Sequence, residues 1–289
     1  MVELAARSGF KYYYCNPSLA AAVIFIICFL LPTILHTYQL VRTRTWFFIP
    51  FLVGGYIEFI GYCARAVSTK QSPDWTMGPF LVNSLMPLVA PALFAASIYM
   101  EPEKLVVVLH AERYSLIRPK WMTKIFVLGD VLSFLLQSGG AGMMAGKTQP
   151  SFKTGSNIIV VRLVVQIVFF GFFIVTTGLF HLRMNKQPTT YSPSSGINWQ
   201  KLVWTLYAAS ILILVRSIYR LVEYVEGFGG YLLSHEAYLY VFNALLMFVM
   251  MLFSHVVHSS ELNTWLRSGG LVSRAFKFER LNGDGMRIA

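Results

Sequence analysis

The sequence predicts an all-α polytopic membrane protein, a seven-transmembrane-helix bundle with its N-terminus outside and its C-terminus in the cytosol. Three observations carry that expectation. The chain is 56% hydrophobic and only 13% charged, with a mean hydropathy of +0.58; soluble domains hold roughly 45–50% apolar and about 25% charged residues. It contains seven runs long enough for the roughly 20 apolar residues of a spanning helix, and no period-2 alternation of the kind membrane barrels show. Its basic residues are also segregated. Arg42, Arg44, Lys104, Arg113, Arg118, Lys120, Arg183, Lys186, Lys201, Arg267, Arg274, Lys277, Arg280 and Arg287 fall on one side, and only Arg7, Lys11, Lys70, Lys147 and Lys153 on the other. The positive-inside rule makes the richer side cytosolic. The net charge of +11 is therefore read as topological, with contact to anionic lipid headgroups and no nucleic-acid partner.

In chain order, residues 1–17 form an extracellular segment, 18–258 a single transmembrane domain and 259–289 a basic cytosolic tail. The first segment (about 18–40) ends in no small-residue cleavage site and is expected to serve as its own insertion signal. The second spans about 46–66, the third about 79–100, the fourth about 121–145, the fifth about 156–182, the sixth about 199–222 and the seventh about 236–258. The loop at about 101–120 reads as an amphipathic interfacial helix with Leu105–Leu109 towards lipid. The loop KQPTTYSPSSGIN reads as a flexible linker. Cys28 and Cys63 fall within spans, which leaves Cys15 alone outside, so no disulfide framework is implied.

Five or six of the segments carry one polar face each, because residues three and four apart share a side of a helix. The second has Gly54, Glu58, Gly61 and Arg65; the third Asn83, Pro87, Pro91 and Phe94; the fourth Asp130, Ser133, Gln137 and Gly140. The fifth offers Arg162 and Gln166, the sixth Arg216, Arg220 and Glu223, and the seventh Glu236, Tyr240 and Asn243. A charge at the centre of a spanning helix costs about 2.5–3.5 kcal/mol on insertion scales, so such groups turn inward and pair. Topology puts Glu58 and Asp130 near mid-membrane. Arg65, Arg162, Arg216, Arg220, Glu223 and Glu236 fall in the outer half, around an expected hydrated vestibule. Glu58 and Arg65 are about 10.5 Å apart along one helix, which sends each to partners on neighbouring helices. Gly54, Gly61, Gly140 and Gly142 read as close-packing positions.

Two motifs point elsewhere. AGMMAGKT at 141–148 loosely matches a phosphate loop, but it ends a membrane helix instead of linking a strand to a helix. Nucleotide binding is not expected. His36, His181, His255 and His258 all fall at cytosolic helix ends, and three histidines with an open position would suit a zinc hydrolase. His255 and His258 are spaced by three rather than four, and no acid lies nearby. No metal, no cofactor and no enzymatic activity are therefore expected.

The stretches HTYQLVRTRTWFFIPFLVGGYIEFIGYCAR, LVAPALFAASIYM, KIFVLGDVLSFLLQSGGAG and LVRSIYRLVEYVEGFGGYLLSHEAYLYVFNALLM resemble the fungal RTA1-like family of lipid-translocating exporter-type proteins. The resemblance runs from Tyr14 to about His258. It implies a fungal plasma or internal membrane, movement of sphingoid bases or other amphiphiles, and resistance to lipid-like toxic compounds. The positions it singles out are Glu58, Gly61, Tyr62, Arg65, Asp130, Gln137, Gln166, Arg216, Arg220, Glu223 and Glu236. Asn243 stands where the family usually has Asp, Arg162 where it often has Gly, and Glu101–Lys104 replaces a Gly-Arg turn. A neutral Asn243 beside an added Arg162 makes the interior less acidic.

The leading expectation is thus a translocator of amphiphilic small molecules, with membrane lipids as partners and no assigned oligomeric state. A seven-helix lipid sensor is the alternative, although no Asp-Arg-Tyr follows the third segment and no Asn-Pro-x-x-Tyr lies in the seventh. A zinc-dependent lipid hydrolase comes third.

Overall fold

The apolar segments fold as long helices whose outward faces stay apolar, the inverse of a soluble bundle. A computed structural model describes residues 18–72, 76–109, 149–186, 199–226 and 230–256, with scattered positions between 121 and 139. Among them no strand occurs. Among the described residues, six helices are long and apolar enough to cross a membrane.

α1 (Leu19–Thr43) starts at Ser18, whose hydroxyl accepts the Ala21 N–H. It ends at Arg44, held in the left-handed region at φ 51° with its N–H on the Leu40 carbonyl. Its stripe of Ile24, Ile27, Leu31, Ile34, Tyr38 and Val41 is exposed, at the three-and-four spacing of a single lipid-facing side. A 3-10 turn at Trp46–Phe48 leads into α2 (Ile49–Lys70), whose Pro50 sits in the first turn, where its missing N–H costs nothing. α3 is Met77–Val108, α4 Gln149–Lys186 and α5 Trp199–Glu226. After one turn at Tyr231–Ser234 comes a composite α6: α-helical at Glu236–Leu239, π-helical at Tyr240–Leu245 and α-helical again at Leu246–Val256.

The fifth, sixth and seventh predicted segments are therefore α4, α5 and α6. Of the fourth, Trp121, Lys124, Val127, Leu128, Gly129, Leu132, Leu135, Leu136 and Gly139 are described, and all are helical. Leu128, Leu132 and Leu135 form another exposed stripe. The terminal segments 1–17 and 259–289, the 187–198 linker, Gly140, Gly142 and the 141–148 motif lie outside the described residues.

α2 is the hub. An added Cβ at Gly54 would stand 2.9 Å from the Phe94 ring and 3.1 Å from the Ala90 carbonyl oxygen, and one at Gly61 would stand 3.1 Å from Pro87. These two glycines let α3 approach the backbone of α2, as small residues do between membrane helices. The largest core cluster joins α1, α2, α3, α4, α5 and α6 through Phe29, Phe51, Tyr62, Phe94, Phe173, Ile213 and Met247.

One sequence expectation is corrected here. The region after residue 100 does not form an interfacial helix with Leu105–Leu109 towards lipid. α3 continues through Pro102 to Val108, and Leu105, Val106 and Leu109 are buried against Phe180 and Met184 of α4 and Leu202 and Val203 of α5. Proline costs a helix most in its interior hydrogen-bond ladder. Here the apolar contacts with two neighbouring helices keep the helix going.

Candidate functional site

The inward charges assemble in two layers. The first lies at the end of the bundle where α1 and α6 begin and α2 ends. Arg65 on α2 donates through Nη2 to Glu236 Oε1 at 2.7 Å and through Nε to the Tyr240 hydroxyl at 3.0 Å. Its guanidinium also lies 5.2 Å from the Tyr240 ring centroid. Glu236 further accepts the Ser18 backbone N–H at 3.0 and 2.9 Å, which binds the start of α1 to the same carboxylate. One turn deeper, Asn243 Nδ2 approaches the Tyr62 hydroxyl at 3.4 Å. Tyr62 stacks with Phe25 and Phe29 of α1. The α6 residues that reach α2 flank or occupy the π-helical turn, a local unwinding that recurs at functional sites.

The second layer surrounds Pro87. Arg216 on α5 donates through Nη2 to the Pro87 carbonyl oxygen, and Arg162 on α4 donates to the adjacent Leu88 carbonyl at 3.3 Å. The sequence explains the first acceptor. Pro91 has no N–H, so the carbonyl four residues earlier has no helical donor. Within the bilayer such a group needs a partner from elsewhere, and Arg216 supplies it. At Pro87 the structure thus shows an anchored carbonyl. Arg220 Nη1 pairs with Glu223 Oε2 at 2.7 Å, one turn along the same helix.

Glu58 stands between Gly54 and Gly61 on the face of α2 that meets α3. It is completely buried, and neither carboxyl oxygen has a hydrogen bond. Arg216 and Arg220 act on it only electrostatically. The Nε atoms of Arg216 and Arg220 and Oδ1 of Asn243 are likewise buried without a hydrogen bond. Gln166 is buried on α4, one turn from Arg162.

The structure therefore brings together Glu58, Arg65, Arg216, Arg220, Glu223, Glu236 and Asn243, with Arg162 and Gln166 on α4. Asp130 and Gln137 lie outside the described residues. The hydrated vestibule expected from the sequence is not what the described side chains form. Arg162 is 1% exposed, Arg65 and Arg216 3%, and Arg220 7%, because these residues close on carboxylates, ring faces and backbone carbonyls that fill the same space. The carbonyls of Pro87 and Leu88 are the participants that sequence reasoning missed. The Pro87-Pro91 spacing of four is the signal that would have found the first.

The histidines divide. His36 bonds through Nε2 to the Met251 carbonyl at 3.1 Å and lies edge-on to His255 at 5.2 Å between ring centroids. His181 instead meets Tyr207, Trp199 and Trp204 of α5. His258 lies outside the described residues, and among those described no three His, Cys, Asp or Glu side chains gather.

Helices with apolar exteriors around buried ion pairs define an integral membrane protein. The chain belongs to the RTA1-like family: the family model described as "RTA1 like protein" matches residues 51–264. It is 37% identical to protoporphyrin uptake protein 1 of Saccharomyces cerevisiae over 85% of this chain and 91% of that one. It is 42% identical to protein RTM1 of the same yeast over 73% and 68%. A sphingoid long-chain base transporter, RSB1, is 27% identical over 85% and 72%. Lipid-related membrane transport thus occurs within the family. No solved structure matches.

Proposed function

We propose that the chain moves lipid-like amphiphiles across a fungal membrane and performs no covalent chemistry. The headgroup passes through the buried charged layers, while the tail stays among lipid-facing stripes such as that of α1. The observation that carries this reading is Glu58. A fully buried carboxyl without a hydrogen bond is costly as fold glue and useful as a waiting partner for a headgroup. Arg65 and Arg220 already hold carboxylates, so Glu236 and Glu223 engage a headgroup only by exchanging partners. Ammonium or hydroxyl groups suit Glu58, and phosphate or hydroxyl oxygens suit the Nε atoms of Arg216 and Arg220. The names of the sphingoid base transporter and the porphyrin uptake protein among the relatives support an amphiphilic substrate.

The reading carries a topology with seven spans, the N-terminus outside and the plasma membrane as location; protease access to an N-terminal tag on intact cells checks it. Flux of labelled sphingoid bases and porphyrins in proteoliposomes tests the function. Glu58→Ala should lower flux at least tenfold at unchanged protein level. Undiminished flux in that variant, or none in the wild type, would sink the proposal.

A further inference from the structure

The arrangement around Glu58 raises a question of charge. An arginine stands close enough to act on Glu58, yet does not bridge to it. On α3, Pro91 withholds a donor from the Pro87 carbonyl, and that carbonyl takes Nη2 of Arg216. Glu58 is left in a dry interior with no donor of its own. A carboxyl group so placed is costly to bury unless a proton or a cation meets it.

We propose that Glu58 is a proton-binding site, and that the protein exchanges one proton for each cationic headgroup it moves. The proposal rests on the translocator reading above. Glu58 can hold a proton or an ammonium group, but not both. Arrival of the ammonium headgroup releases the proton to water on the side that the headgroup came from. Departure of the headgroup on the other side lets Glu58 take a proton from there. Charge balances at each step, and the two movements run in opposite directions because one carboxylate serves both.

The surroundings fit a site whose proton is set by its occupant. α5 turns Arg216 and Arg220 towards Glu58, the first held on the Pro87 carbonyl and the second paired with Glu223. α4 brings Arg162 beside Arg216, itself donating to the Leu88 carbonyl. On α2, Tyr62 is the neighbouring ionisable group and Arg65 lies beyond it. From α6, Tyr240 and Asn243 reach only as far as Tyr62. α3 presents Met86, Pro87, Ala90 and Phe94 at this face, and α1 presents the rings of Phe25 and Phe29.

The test uses the full chain in proteoliposomes, with a fluorescent N,N,N-trimethyl sphingoid base as the probe. Its permanent charge prevents the passive, pH-driven crossing of an ordinary amine. With the lumen one pH unit more acidic and the membrane potential clamped at zero, one-for-one exchange concentrates the probe up to about tenfold inside. A lumenal pH dye should report matching proton loss. Glu58→Gln should abolish the accumulation. Pro91→Ala restores a donor to the Pro87 carbonyl and frees Arg216 to bridge Glu58, so it should also reduce accumulation severalfold. If Glu58→Gln fails to fold, Pro91→Ala and the infrared band of a protonated carboxyl in wild-type protein, lost on probe binding, carry the test. Wild-type flux that ignores the pH gradient overturns the proton coupling and leaves translocation standing. Gradient-driven accumulation in Glu58→Gln, or undiminished accumulation in Pro91→Ala, overturns Glu58 as the site. Absence of any wild-type flux, of this probe or of unmodified sphingoid bases and porphyrins, overturns both readings.

Discussion

Arg65 has Glu236 at 2.7 Å and Tyr240 at 3.0 Å; two turns back on the same helix, Glu58 has no hydrogen bond. Both are buried charges of the sort that lipid drives inward, yet Arg65 is met by hydrogen-bond partners and Glu58 is not. At the Ser18 end, α6 unwinds into a π-turn, Tyr240 and Asn243 both face α2, and Glu236 also collects the N–H of Ser18. Around Pro87, the arginines are drawn to backbone carbonyls and to each other's vicinity, and the acid is left over. The difference teaches that burial alone does not decide whether a charge is answered: Arg65 and Glu58 are both buried and differ in their hydrogen bonds.

That contrast predicts opposite responses to removing an acid. Glu236→Ala leaves Arg65 buried without its carboxylate, and breaking such a pair costs about 3–5 kcal/mol. Thermal unfolding in detergent should show a large drop, and an unchanged midpoint would erase the distinction between the layers. Gly54→Ala comes next. Its new methyl meets the Phe94 ring and the Ala90 carbonyl, and overpacking of this kind costs about 1–3 kcal/mol. Backbone oxygen cannot step aside as a side chain can, so the effect should persist in a Phe94→Leu background, a double-mutant comparison. Tyr240→Phe removes one acceptor from Arg65 while the Glu236 pair remains, for a loss of about 1 kcal/mol by the same assay. Glu58→Gln should change stability least, by under about 1 kcal/mol, while abolishing transport. A drop as large as that of Glu236→Ala would erase the difference in stability between the two layers.

Much of this was legible beforehand. The spacing Gly54–Glu58–Gly61–Arg65 put two charges and two close-packing glycines on one face, and that is the face α2 turns inward. Leu105 and Leu109 were misjudged, because an apolar residue beside a membrane span looks alike whether lipid or another helix covers it. The four histidines looked like one set because all end helices on the same side. Around the bundle, His36 and His255 fall together, while His181 packs against α5.

The sequence by itself determined which charged residues face inward, since the bilayer penalises exposed charge and the helical period converts that penalty into a face. It also determined that Pro91 would leave a carbonyl without a donor. Only the tertiary structure decided who answers each charge. Arg65 and Glu236 are 171 residues apart, and Arg216 and Pro87 129. Pairings over such separations depend on how helices sit beside one another. No local pattern encodes that Arg216 chooses a backbone oxygen of α3 and leaves Glu58 open.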